Sequence, residues 1–405
     1  MSSREWKNVK VGDVCESVSK THRIIKDRMV LVNTSDILDG VVLNHELSET
    51  KGMPGQFKKS IMKGDILFSE IRPKNKRYAF IQFEPKDYIC STKLMVIRNK
   101  HNIDNSFLYY YLTSKEILDY LQVQAEGRSG TFPQITFSNI SEMQIGLPPL
   151  FEQKAIVDTL SCLDDMIELN NRTNKVLEEM AQAIFKRWFV DFEFPNEDGK
   201  PYKSSGGEMV DSELGEIPKG WRVGTLGDIA VNSDSQRVPL SGQQRAKMEK
   251  KYPYYGAASL MDYVDDYLFD GIYLLLGEDG TVITVKGNPI LQYVWGKFWV
   301  NNHAHILQGK IPFSTEYLYV LLKTTNINNI VTGAVQQKIN QGNLNRITVL
   351  IPCESVLGTF NRSISKVFEL YRSNLDQNKT VCTIRDTLLP KLISGQIRVP
   401  VEEVV

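Results

Sequence analysis

Residues 167–177 read IELNNRTNKVL, placing three asparagines, Asn170, Asn171 and Asn174, at the centre of an otherwise regular amphipathic pattern. Asn is a mediocre helix former, because its side chain competes for backbone hydrogen bonds. The stretch has an echo, LYRSNLDQNKTV from Leu370, and at an offset of 204 residues Asn170 meets Asn374 and Asn174 meets Asn378. The correspondence runs outward from there. GLPPLFEQKAIVDTL from Gly146 lies over LIPCESVLGTFNRSI from Leu350, so that Pro148 meets Pro352, Ile156 meets Phe360 and Leu160 meets Ile364. Upstream, FPQITFSNISEMQIGLP lies over QQKINQGNLNRITVLIP, and with small shifts WKNVKVGDV resembles WRVGTLGDI from Trp221. A repeat of this kind decides the architecture before any single element does. The chain is two copies of one plan, a mixed lobe of about 150 residues followed by a helix of about 40.

The spacing of the first helix puts Ile156, Leu160, Leu163, Ile167, Asn170, Asn174, Leu177, Ala181, Ile184 and Trp188 on a stripe that alternates four and three residues. That is a heptad seam. The second helix repeats it with Phe360, Ile364, Val367, Tyr371, Asn374, Asn378, Val381, Leu388 and Leu392, broken at Arg385. Packed antiparallel about a two-fold axis near residues 172 and 376, Asn170 faces Asn378 and Asn174 faces Asn374. The four form a polar layer that fixes register, since a buried Asn opposite Leu costs about 1–3 kcal/mol. The alternative is that these asparagines face solvent; Asn171, off the seam, is expected at the surface either way. A helix of about 40 residues spans about 60 Å.

The lobes read as α+β. Runs such as DILFSEI, YAFIQF, KLMVIR, GIYLLLG, TVITVKG and RITVLIP, bounded by Gly, Pro, Asn and Asp, are strand candidates. SFLYYYLTSKEILDYLQ and STEYLYVLLKTTNI are helix candidates. The expected fold is thus α+β, two pseudo-symmetric globular α/β lobes separated by two long antiparallel coiled-coil helices. Its expected divisions are a first lobe at 1–150, a spacer helix at 151–192, a polar Gly-, Ser- and Pro-rich linker at 193–215, a second lobe at 216–356 and a second spacer helix at 357–396.

Composition narrows the class. With 42% hydrophobic and 24% charged residues the 405-residue chain is globular, and no run of about 18 apolar residues suggests a membrane span. MSSREWKNVK has no apolar core of a signal peptide, so a cytoplasmic location is expected. Five scattered cysteines without a C-x-x-C pair fit reduced thiols. The formal net charge of +0 hides an uneven distribution: twelve Lys and Arg against four acids from Lys51 to Lys100, and six against Glu316 alone from Gly280 to Cys353. Two basic lobes are the electrostatic footprint of a nucleic-acid partner.

Catalytic signatures are sparse. GEDGTVITVKG has neither P-loop nor dinucleotide spacing, and the Asn/Asp-Pro-Pro-Tyr/Phe motif of amino-methyltransferases does not occur. Asp65 followed by Glu84 and Lys86 imitates a nuclease pattern, which chance also produces in so charged a chain. His303 and His305, at i and i+2, share one strand face. They lack a Cys or nearby carboxylate, so packing or DNA contact is the preferred reading over a metal; no metal and no catalytic residue is assigned.

Binding candidates are richer. EIRPKNKRYAF offers Arg72, Lys74, Lys76 and Arg77 around an exposed turn, suited to phosphates, although a solvated charge run is the competing reading. The Gly-rich loop AEGRSGTFPQITFSN carries Arg128, Ser129, Thr131 and Gln134; its counterpart TGAVQQKINQGNLN carries Gln336, Gln337, Lys338 and Asn340. Lys286, Asn302 and His303 complete the set. Arg suits guanine edges and Gln or Asn suits adenine, so different polar sets at equivalent loops imply lobes that read different sequences.

Over essentially its whole length the chain resembles the specificity (S) subunits of type I restriction-modification systems. The resemblance is carried by WKNVKVGDV, LPPLFEQKAIVDTL, KRWFVDFEFP, SELGEIPKGWRVGTLGD, YYGAASLMDYVDDYLFDGIYLLLGEDG and LLPKLISGQIRV. It implies that each lobe is a target recognition domain reading one half of a bipartite, asymmetric site on double-stranded DNA. It also implies that the helices bind two modification (M) subunits, which carry S-adenosylmethionine and methylate adenine at N6. Two restriction (R) subunits using ATP and Mg would cleave unmethylated DNA, and this chain itself would bind no cofactor and have no catalytic site. Two other readings are a coiled-coil scaffold whose lobes bind protein, and a stand-alone nuclease using Asp65, Glu84 and Lys86.

Overall fold

The computed structural model describes residues 6–22, 26–128, 133–333 and 336–400. The chain divides into two units, Met1–Leu169 with Gln377–Val405, and Asn170–Asp376. Each unit therefore takes a lobe and half of each long helix, rather than leaving the helices as bodies of their own.

In the first unit, two four-stranded sheets share the lobe. One has the order Cys15–Ser17, Leu94–Asn99, Ile66–Ser69, Tyr78–Phe80, all antiparallel. The other has the order Ser48–Glu49, Arg28–Val32, Tyr88–Ser91, Phe57–Lys59, with one parallel pairing at its centre. The alternation of side chains along a strand explains why DILF and KLMVI read as continuous apolar runs. Ile66, Phe68, Met95 and Ile97 enter a core with the helices, while Leu67, Leu94 and Val96 enter a second core with Val30, Val32 and Ile37. The expected helix over 106–122 is two helices, Asn105–Thr113 and Lys115–Arg128, separated by Ser114 in extended conformation. The Thr113 and Ser114 hydroxyls donate to the Tyr109 and Tyr111 carbonyls, the local competition that makes such residues break helices. Asp104 caps the first of them by accepting from the Ser106 and Phe107 amides.

The second unit repeats this framework. A six-stranded sheet has the order Ala230–Asn232, Ala304–Gly309, Phe269–Gly277, Leu291–Val300, Tyr252–Tyr255, Leu260–Val264. Its first four strands correspond to the four of the first unit's first sheet. Leu274 and Leu276 face the helical core and Leu275 the other side. Ser314 caps the helix Thr315–Thr324, as Asp104 does in the first unit. TVITVKG does not form a strand. Its Gly287, at φ +82, donates to the Thr284 carbonyl in a tight turn that leaves Val285 fully exposed, while Val282 is buried in the helical core.

The central helix runs Leu150–Phe185 and continues as a π-helical turn, Lys186–Val190; the C-terminal helix is Glu354–Ile393. Every seam position named above is buried or half-buried and Asn171 is exposed. Within the first unit the two helix halves are antiparallel, with Asp164 on Arg385 at 2.8 Å and Glu152 on Arg398 at 2.6 Å. Within the second they are antiparallel as well: Asn174 meets Asn374, and Phe185 packs 6.0 Å from Phe360. Phe185, and Phe189 within the π turn, join the core more deeply than Ile184 and Trp188.

The span 193–215, expected as a linker, is folded. Phe194 stacks between Tyr202 and Trp221 at 4.5 and 5.2 Å, and Met209–Ser212 pairs with Gly215–Pro218 as a hairpin. Three aromatic side chains supply the burial that its polar composition concealed. The described residues include no helix long and apolar enough to cross a membrane.

Candidate nucleic-acid interface

One short backbone ladder occurs in both units. In the first, the Ile135 amide donates to the Glu70 carbonyl, Ile71 bridges Gln134, and the Arg72 amide donates to the Pro133 carbonyl. In the second, the Ile339 amide donates to the Glu278 carbonyl, Asp279 bridges Lys338, and the Gly280 amide donates to the Gln337 carbonyl. Residues 133–135 and 337–339 stand at the 204-residue offset, and the short helices that follow, Phe137–Ser141 and Gln341–Asn345, begin at equivalent capping residues, Thr136 and Asn340. The same frame therefore presents Arg72 and Gln134 in one lobe, and Asp279, Gln337 and Lys338 in the other.

Around the first ladder the turn Pro73–Asn75 is bracketed by Arg72 and Lys76, both left-handed at φ +46 and +53. Arg72 is exposed, and its side chain has no hydrogen bond or ion pair among the described residues. Lys74 pairs with Asp119 at 3.3 Å and Lys76 with Asp39 at 3.0 Å, both at the surface, where such pairs are weak enough to yield to a phosphate. Arg77 is a correction. Its Nη1 donates to the Ser35 and Ile37 carbonyls at 3.2 and 3.1 Å, which turns the guanidinium inward as a structural tie. Gln134 is exposed. Ser129 and Thr131 lie outside the described residues, as does the side chain of Arg128 at the end of its helix. Lys58, Lys63 and Lys93, counted in the basic surplus but not singled out, are also exposed without an ion pair among the described residues.

The second ladder gathers more. Asn302 and His303 form the turn between Leu291–Val300 and Ala304–Gly309; the Glu278 amide donates to the His303 carbonyl, and His303 Nδ1 lies 2.8 Å from Asp279. Gln336, Lys338, Asn302 and His303 are exposed and Gln337 is half-buried, so the fold brings these predicted residues to one edge. Asn340 instead spends its side chain on the Asn343 amide as a helix cap. Lys286, on the turn whose Lys286 carbonyl accepts from Asn326, extends an unpaired ammonium among the described residues.

His303 and His305 do not share a face. His303 precedes the strand and is exposed, whereas His305 is buried and only 1% accessible. Nor is the region without carboxylates: Asp234 and Glu278, distant in sequence, bring their oxygens within 4.8 Å of His305 and of one another. Arg237 already supplies the positive charge there, 2.6 Å from Glu278 and 3.7 Å from Asp234. Burial opposes ionisation of Asp234, but His305, the Ile306 amide and Arg237 together hold its carboxyl below the usual range. These partners were invisible to local motif reading. The nuclease pattern is not assembled either: both oxygens of Asp65, 1% accessible, bind Arg98 at 2.7 Å, while Glu84 and Lys86 are exposed.

The sequence model of the type I restriction modification DNA specificity domain matches residues 3–179 and again 218–378. The type I restriction enzyme HindI specificity subunit of Haemophilus influenzae is 29% identical over 97% of this chain and 100% of its own length. The MjaIX specificity subunit of Methanocaldococcus jannaschii is 29% identical over 74% of this chain and 71% of its own. A crystal structure of a type I restriction-modification S subunit from M. genitalium aligns over 97% of both chains at 16% identity, with a TM-score of 0.48.

Proposed function

The chain belongs to the type I restriction modification DNA specificity family, and from that premise we propose that its two units read the two halves of one bipartite, asymmetric site on double-stranded DNA. The observation that carries this is the duplicated ladder. One backbone frame presenting Arg72 and Gln134 in one unit and Gln337 and Lys338 in the other is what two readers of unlike sequence require. The exposed cations beside each ladder contribute the sequence-independent phosphate contacts that set register on the duplex.

Methylation and cleavage belong to partners in this reading. Two M subunits carrying S-adenosylmethionine dock on the paired helices and methylate adenine, and two R subunits using ATP and Mg add cleavage. The chain binds none of these cofactors itself, contributes no catalytic group and works in the cytoplasm. Asn170, Asn174, Asn374 and Asn378 act as the register lock of the seam, a role supported by the burial of all four.

Genome-wide mapping of N6-methyladenine with and without this gene tests the reading. Loss of one two-part motif on deletion is expected; an unchanged methylome overturns it.

A further inference from the structure

Beneath the second ladder lies an anchor that the first ladder does not have among the described residues. The Ile339 carbonyl accepts from His305 Nε2 at 2.8 Å, and the Ile339 amide donates to the Glu278 carbonyl at 2.8 Å, so this residue is gripped from both sides. A carbonyl can only accept, so Nε2 carries a hydrogen; that fixes the ring and turns Nδ1 to Asp234 at 2.5 Å, with one proton held between them. Asp234 is itself fixed by the Ile306 amide at 2.9 Å. Arg237 closes the far side, donating to Glu278 and to the Ala304 carbonyl, and Lys338 reaches Glu278 at 3.5 Å. The chain thus runs Asp234, His305, Ile339, with the exposed Gln336 and Lys338 and the half-buried Gln337 directly attached.

Element by element, the strand Leu94–Asn99 corresponds to Ala304–Gly309, and the position of His305 is held in the first unit by Met95. Met95 is buried in an apolar core. The framework therefore folds with no histidine there, and the polar anchor is an addition confined to one ladder.

We infer that His305 is a positioning residue for DNA reading by the second unit: it holds the backbone of 336–339 so that Gln337 and Lys338 meet base edges in a fixed place, and Asp234 holds His305. This rests on the DNA-reading function proposed above. Reader side chains set on a frame that shifts by an ångström lose discrimination before they lose affinity, because phosphate contacts tolerate such a shift and bidentate base contacts do not.

The test is the methylated motif in cells carrying His305→Met, which installs the first unit's residue, and His305→Gln, which restores a donor toward the Ile339 carbonyl. For His305→Met we expect one part of the motif to relax, with roughly tenfold weaker discrimination at one or two base pairs, the other part to stay intact, and the purified chain to melt as a folded protein. His305→Gln is expected to recover much of the lost discrimination. A motif unchanged in both parts under His305→Met overturns the inference. So does loss of both parts together with unfolding of the chain, which assigns His305 to folding alone. Failure of the wild-type gene to produce any two-part motif overturns the DNA-reading function itself, a result distinct from both.

Discussion

Asn374 donates its side-chain amide to the side-chain oxygen of Asn174 over 2.9 Å, and Asn174 passes its own amide to the Tyr371 carbonyl at 3.2 Å. Both residues are buried in the seam of the second unit. Replacing Asn174 by Leu strands the Asn374 amide and is expected to destabilise the chain by about 1–3 kcal/mol. Replacing both by Leu removes donor and acceptor together and is expected to recover most of that loss. Urea unfolding of the two variants checks this; equal, additive losses would show that the pair is not coupled.

Another layer of the seam differs between the two units. At the 204-residue offset Asp164 corresponds to Phe368 and Arg385 to Ala181, so an ion pair at 2.8 Å stands where the second unit has two buried apolar residues of one core. Tyr110 adds a 2.7 Å hydrogen bond to Asp164, which explains why the stripe breaks at Arg385. Arg385→Ala is expected to cost about 1 kcal/mol, modest because both side chains keep about a third of their surface in water. Asp164→Phe with Arg385→Ala, which transplants the second unit's pair, is expected to melt within a few degrees of the unaltered chain. Calorimetry that finds the double variant worse than the single one would sink this equivalence.

Acid should weaken the second unit through Asp234. His305, the Ile306 amide and Arg237 outweigh burial and hold this carboxyl below its ordinary value, so the unfolded chain takes up the proton first as pH falls. Its contribution is complete above about pH 4, where an unfolded Asp is ionised, and is lost as pH falls through the lower folded value. Melting curves between pH 2.5 and 6 should show a slope that flattens in Asp234→Asn; identical slopes would remove Asp234 from the account.

Salt dependence separates phosphate contacts from structural cations. Lys74→Ala, Lys76→Ala and Lys286→Ala are each expected to lower the slope of log affinity against log salt for duplex DNA by about 0.9, as one fewer counterion is released. Arg77→Ala should leave that slope alone and lower the melting temperature instead, because its guanidinium serves the Ser35 and Ile37 carbonyls. Anisotropy titrations over a range of salt distinguish the two outcomes.

What could be read from the sequence follows the range of the interactions. Helix seams are periodic and strand runs are bounded by turn residues, so Ile156 to Trp188 mark a buried stripe and DILFSEI a strand. The 204-residue offset places Gln134 over Lys338 and so matches one side of each ladder; the partner segments at 70–72 and 278–280 are set by tertiary pairing. TVITVKG misled because β-type residues serve a turn there, and 193–215 misled because Phe194, Tyr202 and Trp221 are too far apart in sequence to announce a stack. The role of Arg77 and the neighbours of His305 escape the sequence for one reason: a side chain's partner, a carbonyl at Ser35 or a carboxylate at Asp234, is chosen by tertiary folding and leaves no local trace.

The division of the chain at Leu169 and Asp376 also sets an order of completion during synthesis. Asn170–Asp376 is continuous, so the second unit holds all of its parts once residue 376 has emerged. The first unit does not: Ile156 and Leu160 share a core with Leu392 and Ile393, and Glu152 waits for Arg398. The lobe translated first is therefore the one sealed last, and a ribosome that stops early leaves the amino-terminal reader, not the carboxy-terminal one, with its hydrophobic flank open.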